Sequence, residues 1–178
     1  MLDPIDIVTF WREAGPTKWF RGGAAFDREC ETRFYDAHFA AALRTLDAWI
    51  ETPDGALALL ILLDQIPRNI FRGTAHAYAT DMLARDFARH AIAAGHDQHF
   101  DEDLRVFFYL PFEHSEDLED QELSLRLHGN LPGRNADTWA KKHYEVIRTF
   151  GRFPYRNAAL GRTSTSAELT WLREGGGF

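Results

Sequence analysis

The sequence contains a single cysteine, Cys30, among 178 residues. One thiol can form neither an internal disulfide nor a cluster of thiolate ligands for zinc, so the pattern is typical of a reducing compartment. No apolar run approaches the roughly 18 residues that a membrane helix needs. Asp3 and Asp6 stand where a secretory signal would carry basic side chains. We therefore expect a cytoplasmic protein that has no membrane-spanning segment.

Motifs for several common chemistries are also missing. No glycine-rich loop precedes a Lys-Ser or Lys-Thr pair, and no Gly-x-Ser-x-Gly elbow occurs, so the usual signals for a phosphate loop and a serine nucleophile are absent. The formal charge is −7, which disfavours nucleic acid, since duplex binding depends mainly on phosphate neutralisation by Lys and Arg. We expect no nucleic-acid or membrane partner, no cofactor and no metal, and the oligomeric state stays open.

The charge is distributed unevenly along the chain. Residues 113–122 hold six carboxylates and no Lys or Arg, whereas residues 148–162 hold four arginines and no carboxylate. Two separated blocks of opposite sign indicate that they face each other or that each faces a partner.

Apolar residues recur at helical spacing nearly throughout, which predicts an all-α fold of seven or eight helices in a single domain, residues 1–178. Residues 57–63 are apolar on every side of a helix and should lie at the centre of the core. Helix-start signals occur at Asp3-Pro4, Asp27, Thr52-Pro53, Thr74, Ser115, Asn135 or Asp137, and the capping box Thr165-x-x-Glu168.

Prolines and glycines are expected to end these helices. Because proline has no backbone N–H and restrains the residue before it, the third helix should end at Ile66 and another at Pro111. The first should end at Gly15-Pro16, and the glycines at 175–177 should form a flexible tail.

Three proline-broken segments, residues 64–73, 110–117 and 150–157, concentrate polar side chains beside aromatic ones. They predict a polar pocket for an anion, because guanidinium groups bind carboxylate or phosphate in a bidentate manner. The groups expected to contact the ligand are Arg68, Asn69, Arg72, Gln121, Arg152, Arg156 and Asn157. The groups expected to stand behind them are Asp64, Glu116, Asp117 and Arg162.

Internal pairing is an equally good interpretation of these arginines. The same groups can bond Asp64, Glu116, Asp117 and Asp120, or the carbonyls that a proline leaves unpaired. Glu116 and Asp117 beside His114 also invite a metal site, but acidic residues in a first helical turn are expected from the helix dipole alone.

Two histidines are candidates for acid–base catalysis, His114 and His143. His143 shares a helix face with Ile147 and Phe150, where a histidine is usually a hydrogen-bonded core residue. It also lies on the helix that leads into the arginine block, where a neighbouring carboxylate can tune it.

Three motifs in order carry a family resemblance. They are Leu63-Asp64-Gln65-x-Pro67-Arg68-Asn69 with Arg72-Gly73, Pro111-Phe112-x-His114-Ser115-Glu116, and Phe150-Gly151-Arg152-Phe153-Pro154-x-Arg156-Asn157 with Leu160-Gly161-Arg162. The chain thereby resembles an uncharacterised, mainly bacterial family, domain of unknown function nine hundred and twenty-four. The resemblance implies a tetratricopeptide-repeat-like array of helices packed as antiparallel pairs, and it implies no activity.

The leading functional hypothesis is a protein that binds a small anionic molecule or an acidic peptide end in the arginine-rich pocket. One alternative is a helical protein–protein interaction module, which tetratricopeptide-like folds often are. The other is a hydrolase or isomerase in which His114 or His143 is the acid–base group and the arginines stabilise negative charge.

Overall fold

The computed structural model describes residues 3–132 and 137–178, which contain helices joined by turns and irregular stretches and no strand. This confirms the predicted all-α class. The α-helices are α1 (Pro4–Arg21), α2 (Gly23–Ala42), α3 (Pro53–Leu60), α4 (Ile66–Ile70), α5 (Asp81–Ala93), α6 (Glu102–Glu113), α7 (Leu118–Gly129), α8 (Thr138–Phe150) and α9 (Ser166–Arg173). A π turn, Ile61–Gln65, joins α3 to α4 in one continuous helical run.

Contacts divide the chain into two compact units. Unit 1 comprises residues 1–72 and 76–111, and unit 2 comprises residues 73–75 and 112–178. That the two units form a single domain stays a prediction, as does the repeat-like array.

In unit 1, α1 packs on α3, α2 on α4 and α3 on α5. Residues 56–63 are all at most 1% exposed, as expected for a segment that is apolar on every side. Trp11 of α1 is equally buried and meets Trp19 and Phe107 at ring-centroid distances of 6.3 and 5.5 Å.

In unit 2, α7 packs on α8, and a smaller core forms around Val146, Ile147 and Phe153. Phe150, Tyr155 and Trp171 pack against it. None of the helices in the two described ranges is long and apolar enough to cross a membrane.

The prediction that the third helix ends at Ile66 is wrong. The chain passes from α3 through the π turn into α4, with Pro67 inside the helical run. A π turn is usually a single turn inserted in an α-helix, and both π turns and prolines are known causes of helix irregularity. The helix therefore continues because other donors replace the bonds that proline cannot make.

Side chains supply those donors. The carbonyl of Leu62 accepts from His38 Nδ1 at 2.8 Å, and the carbonyl of Leu63 accepts from Thr80 Oγ1 at 2.5 Å. Arg68 Nη1 donates to the carbonyl of Asp64 at 2.7 Å. Each donor lies in unit 1, so the irregular helix is stabilised within that unit.

Several other boundaries differ from the predictions. α6 continues past Pro111. The α1 range, in contrast, is interrupted at Gly15 as predicted: Gly15 has non-helical angles (φ 71°, ψ 172°), and a second helical stretch runs on to Arg21. The predicted start at Thr74 is wrong, because a 3₁₀ turn, Ala75–Tyr78, precedes α5.

Three start signals fall where predicted. Thr52 caps α3 by accepting from the Gly55 N–H at 3.2 Å, and Pro53 is the first residue of that helix. Asp3 caps α1 by accepting from the Ile5 N–H at 2.9 Å, and Thr165 forms the capping box with Glu168. Asp137 precedes the first residue of α8, and the alternative cap Asn135 lies outside the described residues.

Candidate functional site

The arginine block of unit 2 begins where α8 ends. Gly151 adopts φ 69° there, the left-handed conformation that suits glycine after a helix. The chain then turns Arg152 toward the first residues of α9. Arg152 donates to both Glu168 oxygens, from Nε at 2.6 Å and from Nη2 at 2.8 Å, and Nη2 also reaches the Thr163 carbonyl.

Glu168 has a second role at the same place. Its Oε2 accepts from the backbone N–H of Thr165 at 2.6 Å, which closes the capping box. Hydrogen bonds from Arg152 and from Thr165 lower the pKa of Glu168 to about 2. The carboxylate therefore joins the guanidinium of Arg152 to the start of α9.

The acidic and arginine blocks meet through Glu116 and Arg162. Arg162 Nη1 and Nη2 donate to the two Glu116 oxygens at 2.6 and 2.9 Å, and the backbone N–H of Phe153 donates to Oε1 at 2.8 Å. Arg162 Nε also donates to Asn157 Oδ1 at 3.0 Å. Burial raises the pKa of Glu116, but the bonds from Arg162 and Phe153 outweigh it and hold that pKa below its usual range.

Arg156 is the buried member of this group. Its guanidinium lies 4.4 Å from the Phe153 ring centroid and 5.7 Å from that of Tyr155, distances at which a cation is attracted to an aromatic face. Its charge also lowers the pKa of Glu116. We call Arg152, Arg156, Arg162, Glu116 and Glu168 the arginine network.

The fourth arginine of the block is separate. Arg148 is exposed and pairs with Glu145 one helical turn before it, at 2.6 Å. The block thus provides an exposed arginine with the same charge but a different environment.

The arginines of the first motif have their own partners in unit 1. Arg68 makes a bidentate pair with Asp81 at 2.8 and 2.9 Å and also contacts Asp64 at 3.1 Å. Arg72 pairs with both oxygens of Asp27, and Asn69 Nδ2 donates to the same carboxylate at 2.8 Å.

Asp27 and Asp81 were not among the predicted site residues. The sequence predicts that Asp27 caps a helix, but α2 begins at Gly23. The Asp27 carboxylate instead accepts hydrogen bonds from the side chains of Asn69 and Arg72. A carboxylate in the first turns of a helix looks the same in sequence whether it is paired or solvated, so only the spatial proximity reveals these pairs.

Two further predicted residues of unit 2 bind backbone atoms. Gln121 is fully buried, and its Nε2 donates to the carbonyls of Glu113 and Ser115 at 2.6 and 2.7 Å. Asp117 is the N-cap of α7, where it accepts from the Glu119 N–H at 2.8 Å, so the predicted cap Ser115 is wrong. Both residues hold the turn between α6 and α7.

A buried carboxylate lies between two histidines in the same unit. Glu113 Oε1 is 3.2 Å from His143 Nδ1, and Oε2 is 3.6 Å from His128 Nε2. The His143 ring is 6.1 Å from that of His114, the other candidate, and Nδ1 also lies 2.9 Å from the Trp139 carbonyl. This is the neighbouring carboxylate anticipated for His143.

His128 remains neutral beside this carboxylate. Burial lowers the pKa of His128 to about 4, although the Ser124 carbonyl at 3.0 Å favours the protonated form. The two contacts of Glu113 differ in length, and the one with His143 is the shorter.

The glycine tail is docked, contrary to the expected flexible tail. The Gly176 N–H donates to the Trp171 carbonyl at 2.9 Å, and a Cβ on Gly176 would come within 2.2 Å of the Trp171 ring. The tail ends with the Phe178 ring stacked on His143, with 3.8 Å between centroids and 20° between planes.

Two further features bear on ligands. A cleft of about 650 Å³ in unit 1 lies between α1 and α2, and it is lined by Phe10, Glu13, Lys18, Glu29 and Arg33 among others, none of them a predicted site residue. Among the residues that the structure describes, no three His, Cys, Asp or Glu side chains are arranged to hold a metal ion.

The fold and these networks define an all-helical protein in which arginines at helix ends are paired with acids. Residues 7–176 match the family described as bacterial protein of unknown function (DUF924), and the chain belongs to that family. It is 55% identical to a protein of unknown function from Agrobacterium tumefaciens whose structure is solved, over 97% of both chains and with a TM-score of 0.93. No curated protein is significantly similar to the chain.

Proposed function

We propose that the protein binds a small anionic ligand, a carboxylate or phosphate, at the arginine network of unit 2. The observation that carries the proposal is the open edge of Arg152. This guanidinium uses Nε and Nη2 for Glu168 and leaves both N–H groups of Nη1 without an acceptor among the described residues. The Arg152 side chain is 27% exposed, so these donors are accessible.

The rest of the network prepares Arg152 for an incoming anion. Glu168 fixes the guanidinium plane through two bonds, so little side-chain entropy is lost on binding. The hydroxyl of Ser164 accepts from Asn157 Nδ2 at 3.0 Å and retains its own O–H as a donor. Arg156 and Arg162 add positive potential at short range.

The test compares Arg152→Ala with Arg148→Ala, which removes the same charge from the same block. Thermal unfolding is followed with phosphate and with citrate. An anion present at about ten times its Kd stabilises the fold by about 1.4 kcal/mol, which raises Tm by about 3 to 5 °C. We expect this rise in the parent and in Arg148→Ala, and its loss in Arg152→Ala and Arg152→Lys.

Two results would contradict the proposal. The first is the absence of any rise in the parent with either anion. The second is an equal rise in all four proteins, which would indicate a general effect of salt rather than a site.

A second candidate function, acid–base catalysis, is favoured by the contact between Glu113 and His143. A carboxylate beside one imidazole nitrogen orients the ring, and this is an arrangement that general bases use. His143 is only 5% exposed, so a substrate has to displace the Phe178 ring that covers it.

Hydrolysis of p-nitrophenyl acetate and p-nitrophenyl phosphate tests this second function. A hydrolase would turn over one of them, and His143→Gln and Glu113→Gln would each lower the rate by at least about a hundredfold. Arg148→Ala serves again as the control. Turnover that survives both substitutions would exclude the pair as the catalytic group.

A further inference from the structure

The ring of Phe178 sits inside a set of four other rings. It lies parallel to the His143 ring, with 3.8 Å between centroids. The rings of Trp139, Phe153 and Tyr155 stand at 84°, 85° and 87° to it, with centroids 6.1, 6.3 and 5.8 Å away. The three perpendicular rings, which form walls, stand in the edge-to-face geometry that aromatic pairs prefer, and the imidazole, which forms the floor, lies face to face with the Phe178 ring. We call these four rings the aromatic slot.

The backbone of the tail makes few hydrogen bonds close to Phe178. The last backbone hydrogen bonds are donated by Gly175 to Leu172 and by Gly176 to Trp171. Beyond them, the backbone of Gly177 and Phe178 donates no hydrogen bond within the part of the chain that the structure describes. The glycines also restrain the path of the chain weakly, since glycine has the widest choice of backbone conformations.

The Phe178 ring is also incompletely buried. It is 48% exposed, whereas Phe153 in the wall is fully buried. A side chain that keeps half of its surface in water gains only part of the free energy of full burial. An equivalent ring from outside can therefore compete with it.

We propose that the aromatic slot is a binding site for the planar aromatic ring of a small molecule, and that Phe178 is its exchangeable internal occupant. The floor of the slot is the imidazole whose Nδ1 lies 3.2 Å from Glu113. A bound ring would therefore lie against a titratable pair. This inference does not rest on anion binding at the arginine network.

The slot selects aromatic over aliphatic rings for a physical reason. The edge of an aromatic ring is positive and its face is negative, so perpendicular walls attract it through the quadrupole in addition to apolar contact. A saturated ring of the same size buries a similar area but lacks this attraction. A difference in affinity between the aromatic and the saturated ring therefore reports the attraction of the slot and not general hydrophobicity.

The test uses Phe178→Ala with two matched probes, benzyl alcohol and cyclohexylmethanol, titrated calorimetrically. We expect Phe178→Ala to bind benzyl alcohol at least about fivefold more tightly than the parent does, and at least about fivefold more tightly than it binds cyclohexylmethanol. Phe20→Ala removes another exposed phenylalanine, in unit 1, and should bind benzyl alcohol no better than the parent.

A second variant and a spectroscopic signal make the result independent of stability. Phe178→Leu keeps an apolar side chain but no ring, so benzyl alcohol should compete with it better than with the parent. In both variants the His143 ring proton should lose the upfield shift caused by the stacked ring, and benzyl alcohol should restore it.

Equal affinity for the two alcohols in both Phe178 variants would overturn the proposal, and so would an unchanged His143 resonance on adding benzyl alcohol. If Phe178→Ala does not fold, Phe178→Leu decides by the same criteria. Binding that Phe20→Ala enhances equally would also overturn the proposal, because it would show general hydrophobic uptake.

Discussion

Acid should destabilise the fold through His128 before it affects the paired carboxylates. In an unfolded chain the imidazole takes up a proton near pH 6.5, whereas burial lowers the pKa of His128 to about 4 in the folded protein. Between these values the unfolded state binds more protons, so the free energy of unfolding falls as the pH falls. A difference of about 2.5 pKa units corresponds to a loss of about 3 kcal/mol.

The perturbation that isolates this effect is His128→Asn. The asparagine amide can retain the bond that His128 Nδ1 makes with the Ser124 carbonyl, but it does not titrate. Urea unfolding followed by circular dichroism from pH 7 to pH 4 should show the parent losing about 3 kcal/mol more than the variant. His90→Asn, which removes an exposed histidine, should follow the parent.

Parallel stability curves for the parent and His128→Asn would refute the reasoning. They would mean that His128 takes up its proton in the folded state near the ordinary pH, with Glu113 as the acceptor of its charge. The same comparison thus tells whether His128 is charged beside Glu113 in the folded protein.

Two more predictions concern the networks. Glu168 has a pKa of about 2, so its contribution to the free energy of unfolding is complete above pH 4.5 and is lost as the pH falls to 2. Glu168→Gln should therefore reduce the change in stability, measured by urea unfolding, between these two pH values. Glu145→Gln, which alters the exposed pair with Arg148, should not reduce it. Thr80→Val removes the donor to the Leu63 carbonyl in the π turn and should cost about 1 to 3 kcal/mol in the same assay. Thr32→Val removes the same kind of bond on an exposed helix and should cost less; equal losses would contradict the role of the buried carbonyl.

The sequence alone was enough to predict the helical class and much of the helix placement. Amphipathic spacing and caps such as Thr165 with Glu168 are local signals, and a local signal survives in any fold that contains the helix. The effect of Pro67 is not predictable in this way, because it is not local. The carbonyls that it leaves unpaired are satisfied by His38 and Thr80, which lie 29 and 13 positions away in the sequence.

The sequence predicts many of the residues of the candidate site but few of the pairs that they form. The opposed charge blocks do meet, at Glu116 and Arg162. The partners of Arg68 and Arg72 could not be predicted, because a pairing between distant positions leaves no trace in one sequence. The docked position of Phe178 is hidden by a misleading local signal, because a glycine run usually marks a flexible tail. The docking of these glycines depends on the ring of Trp171, which the glycine run itself does not indicate.

The excess of arginine over lysine is consistent with the way in which the carboxylates are paired. Of the 20 basic residues, 17 are arginine and three are lysine. Arg68, Arg72, Arg152 and Arg162 each hold one carboxylate with two parallel bonds, which an ammonium group cannot do. A guanidinium that donates to its carboxylate from two nitrogens still has a third nitrogen that can donate to another acceptor. Arginine is therefore the residue that can support the fold and bind an anion from the same side chain, and at Arg152 that third nitrogen is the accessible one.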